Sequence, residues 1–226
     1  MVAMEPVVTI DGPSGAGKSS VARALAQRGG WRYLNTGSLY RALTLGLLGR
    51  GLNQVSVERA EWICANVAEM RIGADLSADD PKTFCNGEEV GFEIRSEDVT
   101  MNVSEISALP CVRAGLLSLQ RDLIATGGIV VEGRDIGSVV WPEAEAKFYL
   151  TANLTARAHR RHAEGPTGID INSVEDSIAE RDQVDSTRVL SPLAIAEGAM
   201  VVDTTELTLE QVVARIWDEI ERKLLS

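Results

Sequence analysis

Short β-branched runs alternate along this chain with longer stretches of helical periodicity. Val7-Val8-Thr9-Ile10 stops at Asp11-Gly12, the pattern of a buried parallel strand. A helix is predicted over 18–28, where Val21, Ala22, Leu25 and Ala26 recur at helical spacing and Gly29-Gly30 closes it. Residues 31–34 read as a second short strand. Residues 38–48 read as a helix ended by Gly49 and Gly51, and 56–69 as another. The texture then changes. Met70-Arg71-Ile72 and Thr83-Phe84-Cys85 read as short strands, and Asn86-Gly87 is a strong hairpin turn, so 70–95 is predicted to be a small antiparallel insertion. Helical patterns return over 96–107 and 110–126, the second with Pro110 in its first turn. Ile129-Val130-Val131 is a buried-strand run that ends at Glu132-Gly133-Arg134-Asp135, and 146–150 is the next. Residues 153–162 form a helix rich in Arg and His. Residues 163–172, with Gly165, Pro166 and Gly168, read as a loop, and 173–187 as a charged helix. The last strand is predicted over 200–203 and the last helix over 208–225, with Thr208 as its N-cap.

Strands that alternate with helices imply an α/β fold: a parallel sheet, five-stranded by this count, with helices on both faces. Ligands in such folds sit at the carboxyl ends of the strands. Asp11-Gly12 and Glu132-Gly133-Arg134-Asp135 both fall at those ends and can face one cleft.

Composition narrows the picture. The 226 residues, 45% of them apolar, fit one α/β domain carrying an insertion. Aromatic residues are only 4%, so the core must rest on Ala, Val, Leu and Ile. No apolar run approaches the roughly 18 residues of a membrane span. Residues 1–6 lack the basic and apolar regions of a secretory signal, so a cytoplasmic setting and no membrane partner are expected. Cys64, Cys85 and Cys111 show no zinc spacing and are expected to be free, mostly buried thiols. A net charge of -11 argues against a nucleic-acid polymer as partner. Many of the arginines nevertheless gather in 157–161 and 181–188, and Arg offers a planar, permanent fork for phosphate. Local Arg clusters in an acidic chain suit a small phosphorylated ligand.

The strongest motif is Gly12-Pro13-Ser14-Gly15-Ala16-Gly17-Lys18-Ser19, followed by Ser20. Its glycines let the backbone curl so that successive N–H groups point at phosphate oxygens, and the helix that follows adds its positive end. Lys18 is expected to reach the β- and γ-phosphates of ATP, and the Ser19 hydroxyl to ligate Mg²⁺. The chain has no DxxG after a strand and no NKxD, which argues against a switch GTPase. A kinase for a small acceptor is the natural class.

Three further blocks are specific: Asn35-Thr36-Gly37 before Tyr40-Arg41; Glu132-Gly133-Arg134-Asp135-Ile136-Gly137; and Arg181-Asp182 with Asp185-Ser186-Thr187-Arg188 and Ser191-Pro192-Leu193. With the phosphate loop, over almost the whole length, they resemble the bacterial cytidylate kinases, nucleoside monophosphate kinases of the P-loop class. That resemblance implies transfer of the γ-phosphoryl of ATP, with Mg²⁺, to CMP or dCMP. It implies a core of 1–35, 108–153 and 188–226, a monophosphate-binding region over 36–107 and a helical lid over about 154–187. Ser104, Arg113 and Asp135 would then read the cytosine edge. Arg41, Arg134 and Arg188 would clamp the acceptor phosphate beside Thr36 and Tyr40. Asp185 with Arg181 would meet the sugar, and Arg157 and Arg161 would act as lid arginines. A monomer is the family expectation. Asn35 and Glu132 stand where the family usually has Asp, and Gly198 where another Asp is expected. Two other readings stay open, a kinase for UMP, AMP or shikimate and a nucleotide-binding module without turnover.

Overall fold

The computed structural model describes residues 5–52, 55–164, 170–188 and 190–224. Strand β1 (Val7–Asp11) is buried at every position and lies at the centre of a parallel sheet. The other strands are β2 (Arg32–Asn35), β6 (Ile129–Glu132), β7 (Ala146–Thr151) and β8 (Met200–Asp203), in spatial order β2-β6-β1-β7-β8. The register pairs Ile10 with both Glu132 and Phe148, and Asn35 with Glu132. The period of two explains the continuous apolar runs, because both faces are covered. Val7, Ile129 and Val131 point into one core with Leu34, Leu39 and Val112. Val8, Ile10 and Val130 point into the other with Ala22, Leu25 and Ile216. Each fully buried aliphatic side chain contributes about 1.5–3 kcal/mol.

The helices follow the periodic stretches. Helix α1 (Lys18–Gly29) starts on Gly17, at φ 86°, and ends on Gly30, whose N–H donates back to Ala26 and Gln27. Helix α2 (Thr36–Gly49) is capped by Asn35, whose Oδ1 accepts from the Ser38 N–H at 3.1 Å. Helix α3 (Ala60–Glu69) follows a 3-10 turn over Val57–Arg59, so only part of the predicted 56–69 helix is α-helical. Helices α4 (Glu97–Ala108) and α5 (Pro110–Ile124) match their patterns. Helix α6 (Leu154–Glu164) and helix α7 (Ile171–Thr187) pack together and run further into the predicted 163–172 loop than its composition suggests. Gly165, Pro166 and Gly168 lie outside the described residues. Helix α8 (Leu209–Leu224) begins with a reciprocal cap: Thr208 Oγ1 accepts from the Gln211 N–H, and Gln211 Oε1 accepts from the Thr208 N–H.

The insertion is the expected antiparallel sheet, with β3 (Ile72–Asp75), β4 (Lys82–Cys85) and a two-residue β5 (Glu88–Glu89). Asn86 and Gly87, both at positive φ, make its hairpin turn. The Leu76 carbonyl accepts from the Tyr33 N–H at 2.9 Å, so the segment after β3 covers the open edge of β2.

One expectation is overturned. Cys64 and Cys111 form a disulfide, and only Cys85 is a free, buried thiol. The two cysteines are 47 residues apart, but α3 packs beside α5 and brings their Cα atoms to 5.5 Å. No spacing rule could have paired them. No helix among the described residues is long and apolar enough to cross a membrane.

Candidate active site

At the end of β1 the chain turns back on itself to enter α1. Gly12 has φ 144°, and a Cβ there would lie 2.0 Å from the Leu150 carbonyl oxygen. Gly15 has φ 76° and packs against the Arg157 backbone. No side chain caps α1, so its first-turn N–H groups are left for another acceptor. Lys18 folds back over the loop, and its Nζ donates to the Pro13 carbonyl at 2.6 Å. Ser14, Gly15, Gly17, Lys18, Ser19 and Ser20 line one end of a cavity of about 740 Å³, while Gly12, Pro13 and Ala16 shape the turn behind it.

Beside Ser19, three side chains from β2 and β6 converge. The Tyr33 hydroxyl donates to Glu132 Oε1, and its surroundings include the side chains of Asn35 and Ser19. Burial, then the Glu132 charge, pushes the Tyr33 phenol far above its ordinary range, so it stays a donor. Thr36 Oγ1 donates to the Glu132 carbonyl at 2.8 Å. No cluster of three His, Cys, Asp or Glu among the described residues could hold a metal alone. The donors near Ser19 are all oxygens, which suits a hard cation shared with phosphate oxygens.

Asp11 ties the two strand ends together. Its carboxylate accepts from the N–H groups of Ile136 and Gly137, both at 2.8 Å. Burial pushes its pKa up to about 6 against the pull of those two bonds. The bonds fix a π-helical turn over Ile136–Val140 and so set the direction in which Arg134 and Asp135 leave β6.

The far end of the cavity is built from α2, α4, α5, α7 and the Arg134-Asp135 corner. Thr36, Tyr40, Arg41, Ser104, Arg113, Arg134, Asp135, Arg181, Asp185 and Arg188 all line it, so the ten residues expected on the acceptor side come together. Asp135 is ion-paired with Arg113, whose guanidinium lies 5.7 Å from the Tyr40 ring centroid. Arg134 Nε donates to Asp185 at 2.8 Å, and Arg188 reaches the other Asp185 oxygen at 3.5 Å. Arg188 Nη2 is buried with no hydrogen-bond partner among the described residues, which is costly unless an acceptor meets it. Arg41 is held by the Ile94 carbonyl at 3.0 Å and by Thr100 Oγ1 at 3.1 Å. Burial, then the charges of Arg181, Arg161, Arg95 and Arg134, pushes its pKa down to about 9. Burial, then Arg134 and Arg161, pushes that of Arg181 down to about 10. Guanidinium groups crowded in this way are relieved by a multiply charged anion.

The two expected lid arginines part company. Arg161 lines the cavity. Arg157 is buried behind the phosphate loop, donates to the Ser14 carbonyl at 3.1 Å and pairs with Asp182. Arg160, Arg95 and Ser107 also line the cavity and were not foreseen. Neither was the Asp11 clasp. Its only sequence signal was a carboxylate at the end of a buried strand.

The chain matches known proteins over nearly its whole length. The family model described as "Cytidylate kinase" matches residues 8–222. The chain is 41% identical to a cytidylate kinase of Caldanaerobacter subterraneus subsp. tengcongensis, over 98% of this chain and 97% of the relative. It is 45% identical to that of Streptomyces griseus, over 97% and 94%. It is 44% identical to that of Limosilactobacillus fermentum, over 96% of each.

Proposed function

The chain belongs to the cytidylate kinase family, and from that premise we propose that it transfers the γ-phosphoryl group of ATP to CMP or dCMP, giving ADP and the nucleoside diphosphate. The carrying observation is the two-ended cavity, with the phosphate loop at one end and converging arginines beside the Arg113–Asp135 pair at the other. ATP lies with its phosphates in the loop, against the inward N–H groups and Lys18. The acceptor phosphate lies between Arg41, Arg134 and Arg188, and the buried Nη2 of Arg188 supplies a donor that needs such an oxygen. Cytosine offers an N4 amino donor, matched by Asp135 and Ser104, and N3 and O2 acceptors, matched by Arg113. The sugar meets Asp185 and Arg181.

In the reaction an oxygen of the acceptor phosphate forms a bond to the γ-phosphorus. The bond from that phosphorus to the β–γ bridging oxygen breaks, and ADP leaves with the electron pair. The acceptor phosphate is largely ionised near neutral pH, so no general base is required. The rate comes from alignment and charge neutralisation. Ser19 Oγ would hold Mg²⁺, which would supply further neutralisation of the phosphate charge. Glu132 and Asn35 stand beside Ser19 and would orient the water around such an ion. Arg161, from α6, adds positive charge over the transferring group, and Arg157 acts from behind the loop. We also read 154–187 as a lid and 36–107 as the monophosphate-binding region around a core of 1–35, 108–153 and 188–226, in a cytoplasmic monomer.

Initial rates with CMP, dCMP, UMP, AMP and shikimate at fixed ATP test the acceptor. CMP and dCMP should give the highest kcat/KM, with the others at least about tenfold lower, because UMP and shikimate lack the amino edge and leave its partners unpaired, while AMP lacks the O2 acceptor and carries its amino edge on a larger ring. Preference for UMP, AMP or shikimate would move the chain to a different acceptor class.

A further inference from the structure

Tyr33 does not line the cavity, yet its hydroxyl reaches the groups around Ser19. Side chains alternate along β2, so Tyr33 and Asn35 point to the face that α1 covers, and the register puts Val130 and Glu132 of β6 on that same face. The Tyr33 ring is buried in the core beneath α1 with Ala22 and Leu25. Its hydroxyl comes out under the first turn of α1, beside the side chains of Ser19 and Asn35, and donates to Glu132 Oε1. Glu132 is only 3% exposed, and it lines the cavity with Lys18, Ser19 and Asn35. No ion pair holds it among the described residues, and Lys18 Nζ turns to the Pro13 carbonyl instead. A charge buried in this way is costly unless a cation reaches it. The Thr36 hydroxyl fixes the Glu132 backbone, and the Tyr33 hydroxyl fixes one carboxylate oxygen. The other oxygen has no hydrogen-bond partner among the described residues and is not sealed from the cavity. One donor therefore decides which way the free oxygen faces.

We propose that Tyr33 is a positioning residue for the divalent cation that accompanies ATP: its hydroxyl pins one oxygen of Glu132 and leaves the other, near Ser19, for the cation and its water. This rests on the reading of the loop as the ATP site. Tyr33→Phe keeps the buried ring and removes the donor. Mn²⁺, another cation that takes oxygen ligands, serves as the probe, with the β,γ-imido analogue of ATP at saturation. The spin-resonance signal of free Mn²⁺ then reads its affinity for the protein–nucleotide complex. That affinity should fall roughly tenfold in Tyr33→Phe, the lower end of what losing the group behind a metal-site carboxylate costs. Calorimetry in EDTA should show the analogue alone, and CMP alone, binding within about twofold of the unaltered protein, because Tyr33 lines neither end of the cavity. The Mg²⁺ concentration for half-maximal turnover should rise by a factor similar to the loss of Mn²⁺ affinity.

Glu132→Gln should also weaken Mn²⁺ binding. Tyr33→Phe added to it should cost less than about twofold more, because Tyr33 acts through the carboxylate. Melting curves establish folding, and should Tyr33→Phe alone fail to fold, the comparison on the Glu132→Gln background decides the matter. Four results would each overturn the proposal and leave Tyr33 a core residue: unchanged Mn²⁺ affinity in folded Tyr33→Phe, unchanged affinity in Glu132→Gln, equal weakening of Mn²⁺, metal-free nucleotide and CMP, or a further tenfold loss in the double variant. Failure of the unaltered protein to bind the analogue, with metal or without, would instead remove the donor-site reading and the proposal with it.

Discussion

Exchange of Lys18 for methionine should lower turnover by on the order of a thousandfold, the scale of losing one aligned charge donor at a reacting centre. The same exchange should make the fold more heat-stable at neutral pH. Lys18 is buried, and its Nζ has one close carbonyl partner, on Pro13. Burial, and then the charge of Arg134, pushes its pKa down from 10.5 to about 7, against the opposing pull of Glu132, Asp11 and Asp185. The folded chain thus releases this proton more readily than the unfolded chain. Its charge weakens the fold progressively as pH falls from 10.5 to about 7, and by a constant amount below that. Methionine keeps the stem and removes the penalty. The stability gain should be largest below pH 7 and vanish near pH 10.5. Melting curves across that window, beside a turnover assay, check both halves. Near-normal turnover in a folded variant contradicts the role of the loop.

Asp135→Ala should raise the KM for CMP roughly 10- to 100-fold while ATP affinity stays within about twofold, as expected for one lost hydrogen bond to a charged group. The argument is local. Asp135 is buried, shares its charge with Arg113, and is aimed by the turn that Asp11 clasps. The variant leaves Arg113 without its carboxylate. Breaking a fully buried pair costs about 3–5 kcal/mol, but this pair faces a cavity that water can enter, so a smaller loss of stability is expected. Arg113→Met should fail in the same direction, and the double variant should lose less than the sum, because the two act as a pair. A parallel fall in ATP affinity would remove the base-reading role from Asp135.

The readable parts of this chain are those with local causes. Gly12, Gly15 and Gly17 are set by backbone angles that L side chains rarely adopt, so their spacing announces the loop. Asn86-Gly87 announces its hairpin for the same reason. Strands β1 and β6 were legible because strands covered on both faces make unbroken β-branched runs. The π-helical turn over Ile136–Val140 was not, since its apolar residues and glycine carry no pattern that separates it from a strand. The Cys64–Cys111 bond depends on α3 lying beside α5, which no spacing encodes. The grip of Asp182 and Arg157 on Ser14 joins three distant segments through a tertiary contact. Asp182 was visible only as a member of the Arg181-Asp182 block, with no role of its own.

The opening feature of the sequence, the glycine-rich loop, accounts for half a reaction, and the arginine-lined end of the cavity accounts for the other half. Incubating the protein with ATP and Mg²⁺, with and without CMP, and separating the nucleotides at intervals tests that union most directly. The account predicts that ADP appears only when CMP is present, matched mole for mole by CDP. ADP formed at the same rate without CMP, or no CDP in the mixture, would contradict it.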